Sequence, residues 1–211
     1  ISYLLIFFFT FDLNAQKLNL DYEVNLFNNS KSIFQNKNYE IALNEFKNFK
    51  KKFPNSLLIE ESDFYIFLSE VYTYKVEDHD AIEKFILNNR DLKYNQLSAA
   101  YGEYVFDKGD YNKAIKYLDF SKLTTYDILY KIGFSYYKLE NYINAENYLK
   151  KIRLSDYKDD ASYYLGIIEI KKKNYKAAIN YLKSISKFIY QDAIKYYLIF
   201  TNYNIENYNE V

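Results

Sequence analysis

A ten-residue phrase returns along this chain at a nearly fixed interval, and the interval restricts the possible folds more than any other feature. In Gly109-Asp110-Tyr111-Asn112-Lys113-Ala114-Ile115-Lys116-Tyr117-Leu118, an acid or amide and a tyrosine lead into an alanine. The same order runs from Asn38-Tyr39 to Ala42, from Asn141-Tyr142 to Ala145, from Asn174-Tyr175 to Ala178, and from Asn207-Tyr208 to Val211. A copy around Ala81 lacks the tyrosine. Positions 42, 81, 114, 145, 178 and 211 stand 39, 33, 31, 33 and 33 residues apart, the period of a solenoid with two helices per repeat. Such units bury their apolar faces only against neighbours. Region 21–211 is therefore expected to form one array of about five and a half repeats, the last cut mid-helix at Val211.

Two offsets give the repeat a packing face. Twelve residues before the alanine stands a small residue, Ser30, Ser69, Gly102, Gly133 or Gly166, and three of the four glycines in the chain fall there. Glycine inside a helix costs about 1 kcal/mol relative to alanine. Its return at one offset predicts a close approach, and the alanine of the second helix is the expected neighbour. Four residues after the alanine comes Phe46, Phe85, Leu118, Leu149 or Leu182, one turn on and on the same face. Gly102, Gly133, Gly166, Ala42, Ala114, Ala145 and Ala178 are thus the expected packing residues. The periodicity predicts helix pairs over 22–35 and 39–52, 59–74 and 80–89, 97–107 and 111–120, 127–138 and 142–151, and 159–172 and 175–185, then a helix over 191–203. The Asn or Asp before each repeated tyrosine is expected both to cap the second helix and to take the left-handed backbone of the turn.

This grammar resembles the tetratricopeptide repeat family over nearly the whole of 21–211. In that family a small residue on the first helix, an alanine on the second and a large apolar residue one turn later lock an antiparallel pair. The chain departs from the family in having no tryptophan and a single proline, Pro54. The resemblance implies an all-α fold, a right-handed α-α superhelical solenoid of helix hairpins, whose first helices line a concave groove. It also implies a protein-interaction scaffold and not an enzyme.

No methionine occurs in the 211 residues, so Ile1 is expected to follow upstream sequence. Tyr3 to Phe11 is apolar over nine residues, about 14 Å as a helix against a hydrocarbon core of about 30 Å, too short to span a membrane. Followed by Asp12-Leu13-Asn14-Ala15-Gln16, it reads as the apolar part of a signal peptide over 1–15, cleaved after Ala15, with its basic start missing. Export is therefore expected, with a helix packed on the first repeat or a cytoplasmic repeat protein as the alternative. Phe46, Phe49, Phe53, Pro54 and Ser56 look like the first repeat of periplasmic tetratricopeptide proteins of the outer-membrane assembly and Tol-Pal coordination kind. With Ala15-Gln16 they also resemble the N-terminus of long tetratricopeptide proteins from Bacteroidetes. These resemblances imply the periplasm of a bacterium with an outer membrane.

Catalytic and metal chemistry find little material. There is no cysteine, and His79 is the only histidine. In Glu77-Asp78-His79-Asp80 it reads as a polar helix start more readily than as a metal ligand. The adjacent pairs Glu60-Glu61 and Asp159-Asp160 point to different sides of a helix and read as first-turn acids. No phosphate-cradling or nucleophile-elbow motif is present. Basic and acidic residues balance at 28 each, and the two arginines, Arg90 and Arg153, offer no basic stripe for nucleic acid. No cofactor or metal is expected.

The unusual feature is the aromatic content, 27 tyrosines and 17 phenylalanines. If first-helix faces line the groove, they carry Phe27, Phe34, Phe67, Phe106, Tyr130, Phe134, Tyr137, Tyr163, Tyr164, Tyr196 and Tyr197. The candidate partner-binding site is Phe106, Tyr130, Phe134, Tyr137, Tyr163 and Tyr164, with Lys131 and Lys138 as a basic rim and Lys171 flanking it. It suits a peptide or protein with apolar anchors and some acidic residues, in keeping with a cell-envelope scaffold. The rival expectation is a recruiting arm of an enzyme whose catalytic domain lies beyond residue 211.

Overall fold

The structure, a computed structural model, describes residues 20–89 and 91–206. The expected signal segment over 1–15 and the Asn207–Val211 copy lie outside the described residues. Among those described are eleven α-helices and no strand: α1 (20–35), α2 (Tyr39–Lys52), α3 (Ile59–Tyr72), α4 (His79–Asn88), α5 (Asn95–Asp107), α6 (Tyr111–Phe120), α7 (Tyr126–Lys138), α8 (Tyr142–Leu149), α9 (Lys158–Lys171), α10 (Tyr175–Lys183) and α11 (Gln191–Asn204). Each expected helix is present with its ends shifted by a turn or less. The chain is an all-α helical repeat, and its packing groups into two compact units, residues 1–100 and 101–211.

In the first unit α2 packs on α3 around an aromatic core. Phe46 and Tyr65 stack with centroids 5.0 Å apart, and Phe27 meets Phe46 edge-on at 5.6 Å. Phe27 and Phe34 are 4% and 8% exposed, so these two rings belong to the core and not to an open groove. Phe27 is held by Phe46, Phe49 and Tyr65, and Phe34 by Tyr39, Tyr65 and Tyr72.

In the second unit the hairpins α7–α8 and α9–α10 repeat one packing pattern. Ala114, Ala145 and Ala178, like Ala42 in the first unit, are completely buried. The three helical glycines are approached differently from the expectation. A Cβ built on Gly102 would lie 2.8 Å from Leu118 Cγ, one on Gly133 2.8 Å from Leu149 Cγ, and one on Gly166 2.9 Å from Leu182 Cδ2. The neighbour that demands glycine is the leucine one turn after the alanine, because its branched end lies over the first helix's backbone. The alanine lets the pair close, and the leucine fills the space.

Gly109 has another cause. Nothing lies within 4 Å of its Cβ position, but its φ is 80°. It occupies the left-handed position that ends α5, where its N–H donates to Phe106 O and the next N–H, of Asp110, reaches back to Val105 O. The same paired bonds end α7 at Glu140-Asn141 and α9 at Lys173-Asn174, and in the first unit α1 at Lys37-Asn38. The left-handed residues are Lys37, Glu140 and Lys173, with φ of 62°, 58° and 61°. The left-handed backbone therefore falls on the residue before the Asn or Asp, correcting the reading that one residue meets both demands. The Asn or Asp caps alone: Asp110 accepts from Lys113 N at 3.1 Å and Asn141 from Asn144 N at 3.2 Å, while Asn38 and Asn174 make no such bond.

A side chain in this conformation costs about 1–2 kcal/mol, and part of the gain from glycine is lost to unfolded-chain entropy. Glu140→Gly is expected to stabilise the protein by about 0.5–1 kcal/mol, and Gly109→Ala to destabilise it by a similar amount. Urea midpoints moving the opposite way for the pair would contradict this account of the turns.

Candidate functional site

The expected groove residues come together in the second unit as one continuous network of rings. Phe134 meets Phe106 at 5.7 Å, Tyr111 at 6.0 Å and Tyr164 at 5.0 Å. Tyr137 lies 4.8 Å from Tyr164 and 6.1 Å from Tyr142. Tyr130 stacks on Tyr157 at 5.1 Å, and Tyr163 stacks on Tyr190 at 4.5 Å and reaches Tyr197 at 6.3 Å. Phe106, Tyr130, Phe134, Tyr137, Tyr163 and Tyr164 are each half-buried. They do two things at once, packing one repeat on the next and leaving an edge or face to solvent.

The hydroxyls on this surface remain protonated. Burial pushes Tyr130 up, with Tyr164 and Asp160 adding to the rise. Tyr163 is pushed up to about 12, first by burial and then by its neighbours Tyr197 and Tyr164. Burial likewise raises Tyr137 and Tyr164. The surface therefore presents neutral phenols beside apolar ring area, with Tyr130 hydrogen-bonded to Tyr164 and Tyr163 to Tyr197.

Lys138 is exposed at this surface, its Nζ 5.9 Å from the Phe134 centroid and 6.0 Å from that of Tyr111. Lys131 is not a rim charge as expected. Its side chain is 18% exposed and lies 3.0 Å from Glu103 and 2.7 Å from Asp127, so α5 and α7 already consume its charge. Burial alone would lower Lys131, but the hydrogen bonds it donates to Asp127 and Glu103 hold it above the ordinary lysine range. Burial pushes Glu103 up. Asp127 is pulled below the carboxylate range because hydrogen bonds from Lys131, Tyr157 and Glu103 outweigh its burial.

Next to the ring network, α9, the α9–α10 turn and α11 enclose an open cavity of about 380 Å³. Ile167, Ile170, Tyr175, Tyr196, Tyr197 and Phe200 line it, together with the exposed Lys171 and Lys173. Its origin is legible in the repeat. Ile167 and Ile170 stand 33 residues after Phe134 and Tyr137, so two branched aliphatics replace two rings and the space stays open. Nothing in the linear pattern marks this place, because isoleucines on a first helix look like core.

The other residues weighed as candidates are structural. Asp159 is buried and accepts from Ser186 N at 2.9 Å and Lys187 N at 2.7 Å. Asp160 takes Lys187 and Tyr190. The pair therefore ties one repeat to the next connection, a larger duty than charging a helix start. Lys172 pairs with Glu146 at 2.6 Å and Glu169 at 3.0 Å. His79 opens α4, where Asp78 caps Ala81 N at 2.9 Å. Among the described residues no group of three His, Cys, Asp or Glu could hold a metal ion, and no helix is long and apolar enough to cross a membrane.

No protein-family model and no curated protein matches the sequence. Solved structures do. PilF of Pseudomonas aeruginosa superposes with a TM-score of 0.53 at 14% identity, over 89% of this chain and 86% of that one. A tetratricopeptide repeat protein from Parabacteroides merdae gives a TM-score of 0.53 at 14% identity, over 87% of this chain and 73% of that one. The hairpin period, the glycine-to-leucine contact repeated three times and these likenesses together show that the chain has the tetratricopeptide-repeat fold.

Proposed function

We propose that this protein is a non-enzymatic interaction scaffold of the bacterial cell envelope, acting in the periplasm with outer-membrane association, and that its second unit holds a peptide segment of a protein partner. The observation that carries the binding reading is the cavity between α9 and α11, which continues the half-buried ring surface through Tyr197 and is lined in part by the exposed Lys171 and Lys173. An aliphatic or aromatic side chain of the partner fills the cavity, and an acidic neighbour meets the lysines. Lys138, Tyr137 and Tyr164 extend the contact along the chain of the ligand. Half-exposed tyrosines suit such a role, since they bury area while ordering few torsions. The envelope placement rests on the apolar run 3–11 and on the Ala15-Gln16 junction, and a mature N-terminus at Gln16 is the expected result of sequencing the exported protein.

The binding reading is tested by closing the cavity with the residues of the preceding repeat. Ile167→Phe with Ile170→Tyr should fold normally, because the equivalent positions already hold rings, and should lose binding by tenfold or more. The ligands would be peptides selected by panning a displayed library on the parent, expected to pair an apolar anchor with Asp or Glu. A folded double variant that binds those peptides as tightly as the parent overturns the assignment of this cavity.

A further inference from the structure

Among the described residues, the large apolar side chains more than three-quarters exposed are Leu57, Leu92, Leu154, Phe188 and Ile189, at 99%, 81%, 79%, 90% and 81%. All five sit in connections from the second helix of one repeat to the first helix of the next. Core packing does not account for them, and the ring network reaches these connections through Tyr157 and Tyr190 and not through these five residues. In the second unit three such connections follow one another, α6–α7 with Leu123 at 42% exposed, α8–α9 with Leu154, and α10–α11 with Phe188 and Ile189. In a stack of antiparallel hairpins these connections share one edge. The opposite edge of this unit, counted with the helix ends beside the turns at 108–110, 139–141 and 172–174, carries Leu139 at 39%, Ile143 at 73% and Tyr203 at 63%, so that among the described residues only the first edge holds apolar side chains more than three-quarters exposed.

The apolar tips have a cationic collar. A basic residue precedes the first tip of each connection: Lys122-Leu123, Arg153-Leu154 and Lys187-Phe188. Lys187 is taken by Asp160. Lys150, though exposed, is likewise paired with Glu146. The other exposed cations along this edge are Lys122, Lys151, Arg153, Lys158 and Lys183, against the exposed carboxylates Asp119, Asp156 and Asp192. We propose that this edge of the second unit docks onto an anionic lipid surface, with Leu154, Phe188 and Ile189 entering the headgroup–acyl boundary and the surrounding cations meeting lipid phosphates. Leu154 protrudes from one connection and Phe188 with Ile189 from the next. An apolar tip ringed by lysine and arginine matches the two layers of a charged membrane interface. Docking of this kind requires no spanning helix.

The test is cosedimentation of the full chain with vesicles of phosphatidylcholine containing phosphatidylglycerol, against phosphatidylcholine alone. The parent should bind the anionic vesicles, and Leu154→Ser with Phe188→Ser and Ile189→Ser should lose about tenfold or more. Lys151→Gln and Arg153→Gln should each lose about fivefold on anionic vesicles. The apolar run 3–11 is common to parent and variants, so any binding it supplies survives these changes. The chain has no tryptophan, which makes Leu154→Trp a clean second probe whose emission should shift to the blue when anionic vesicles are added. Undiminished binding by the triple variant, or unchanged emission from the Leu154→Trp variant, overturns the proposal. So does a parent that ignores vesicles but forms a dimer that the triple variant dissolves, since the edge would then join two copies of this chain.

Discussion

Leu149→Ala is expected to lower stability by about 2–5 kcal/mol, the cost of emptying a core site that cannot fully collapse. Leu149 is completely buried and belongs to one core cluster with Leu129, Ala145, Ile152, Ala161, Leu165 and Ile168. The more discriminating expectation concerns Gly133 in the two backgrounds. Alone, Gly133→Ala puts a Cβ 2.8 Å from Leu149 Cγ and 3.3 Å from Leu149 N, so overpacking opposes the gain of about 1 kcal/mol in helix propensity. In the Leu149→Ala background the branched end is gone, and the same substitution should stabilise by about 0.5–1 kcal/mol. Opposite signs in the two backgrounds are the signature of direct contact. The other glycines give a graded control. At Gly102 a Cβ would sit 2.9 Å from Leu118 N, whereas at Gly166 its contacts under 3.4 Å are side-chain atoms of Leu182. Gly102→Ala should therefore be the most damaging of the three and Gly166→Ala the mildest. Denaturation midpoints that fall equally for Gly133→Ala with and without Leu149 would show that the leucine is not what demands glycine.

Lys131→Met is expected to destabilise the second unit by about 1–3 kcal/mol at pH 7, less than the loss for a fully buried pair, because Glu103 and Asp127 keep 39% and 30% of their side chains exposed. The substitution keeps the aliphatic stem and removes the charge that both carboxylates share. The pH dependence gives the sign. In the parent, Asp127 has a depressed pKa and contributes stability that is present above its unfolded value near 4 and lost as pH falls below it. Glu103 has a raised pKa, so its ionised form costs stability at neutral pH and the cost disappears as pH falls through the raised value. The raised Lys131 contributes below its unfolded value near 10 and loses that contribution as pH rises further. Without Lys131 both carboxylates lose their counter-charge, and protonating them relieves the variant more than the parent. The gap between parent and variant should therefore narrow between pH 7 and pH 5. Thermal melts showing a constant gap over that range would mean that the lost contact was packing and not charge.

The candidate site was only half legible in the sequence. Its ring positions followed from the period, because every thirty-odd residues the same helix face returns, and Phe106, Phe134, Tyr137 and Tyr164 do meet. The state of Lys131 was hidden, since its partners are Asp127 four residues before and Glu103 on a different helix. Phe27 and Phe34 illustrate the same limit, because whether a first-helix ring faces solvent depends on what the neighbouring helix places over it. In the first unit that is Tyr65, which lies 6.2 Å from Phe27 and 5.0 Å from Phe34.

By itself the sequence determined the period, the helix boundaries and which residues pack between paired helices, because these depend on local signals: apolar spacing, turn residues, and small residues at a constant offset. The tertiary structure alone decided which atom meets each glycine, since Gly133 to Ala145 and Gly133 to Leu149 are both sensible spacings and only the packed hairpin chooses. It also decided that the left-handed residue precedes the Asn or Asp, which depends on how the ending helix closes its last carbonyls. The open cavity beside Ile167 and the protruding tips at Leu154, Phe188 and Ile189 belong to the same class. Exposure and empty space are properties of what is not packed against a residue, and a linear pattern records only what could be.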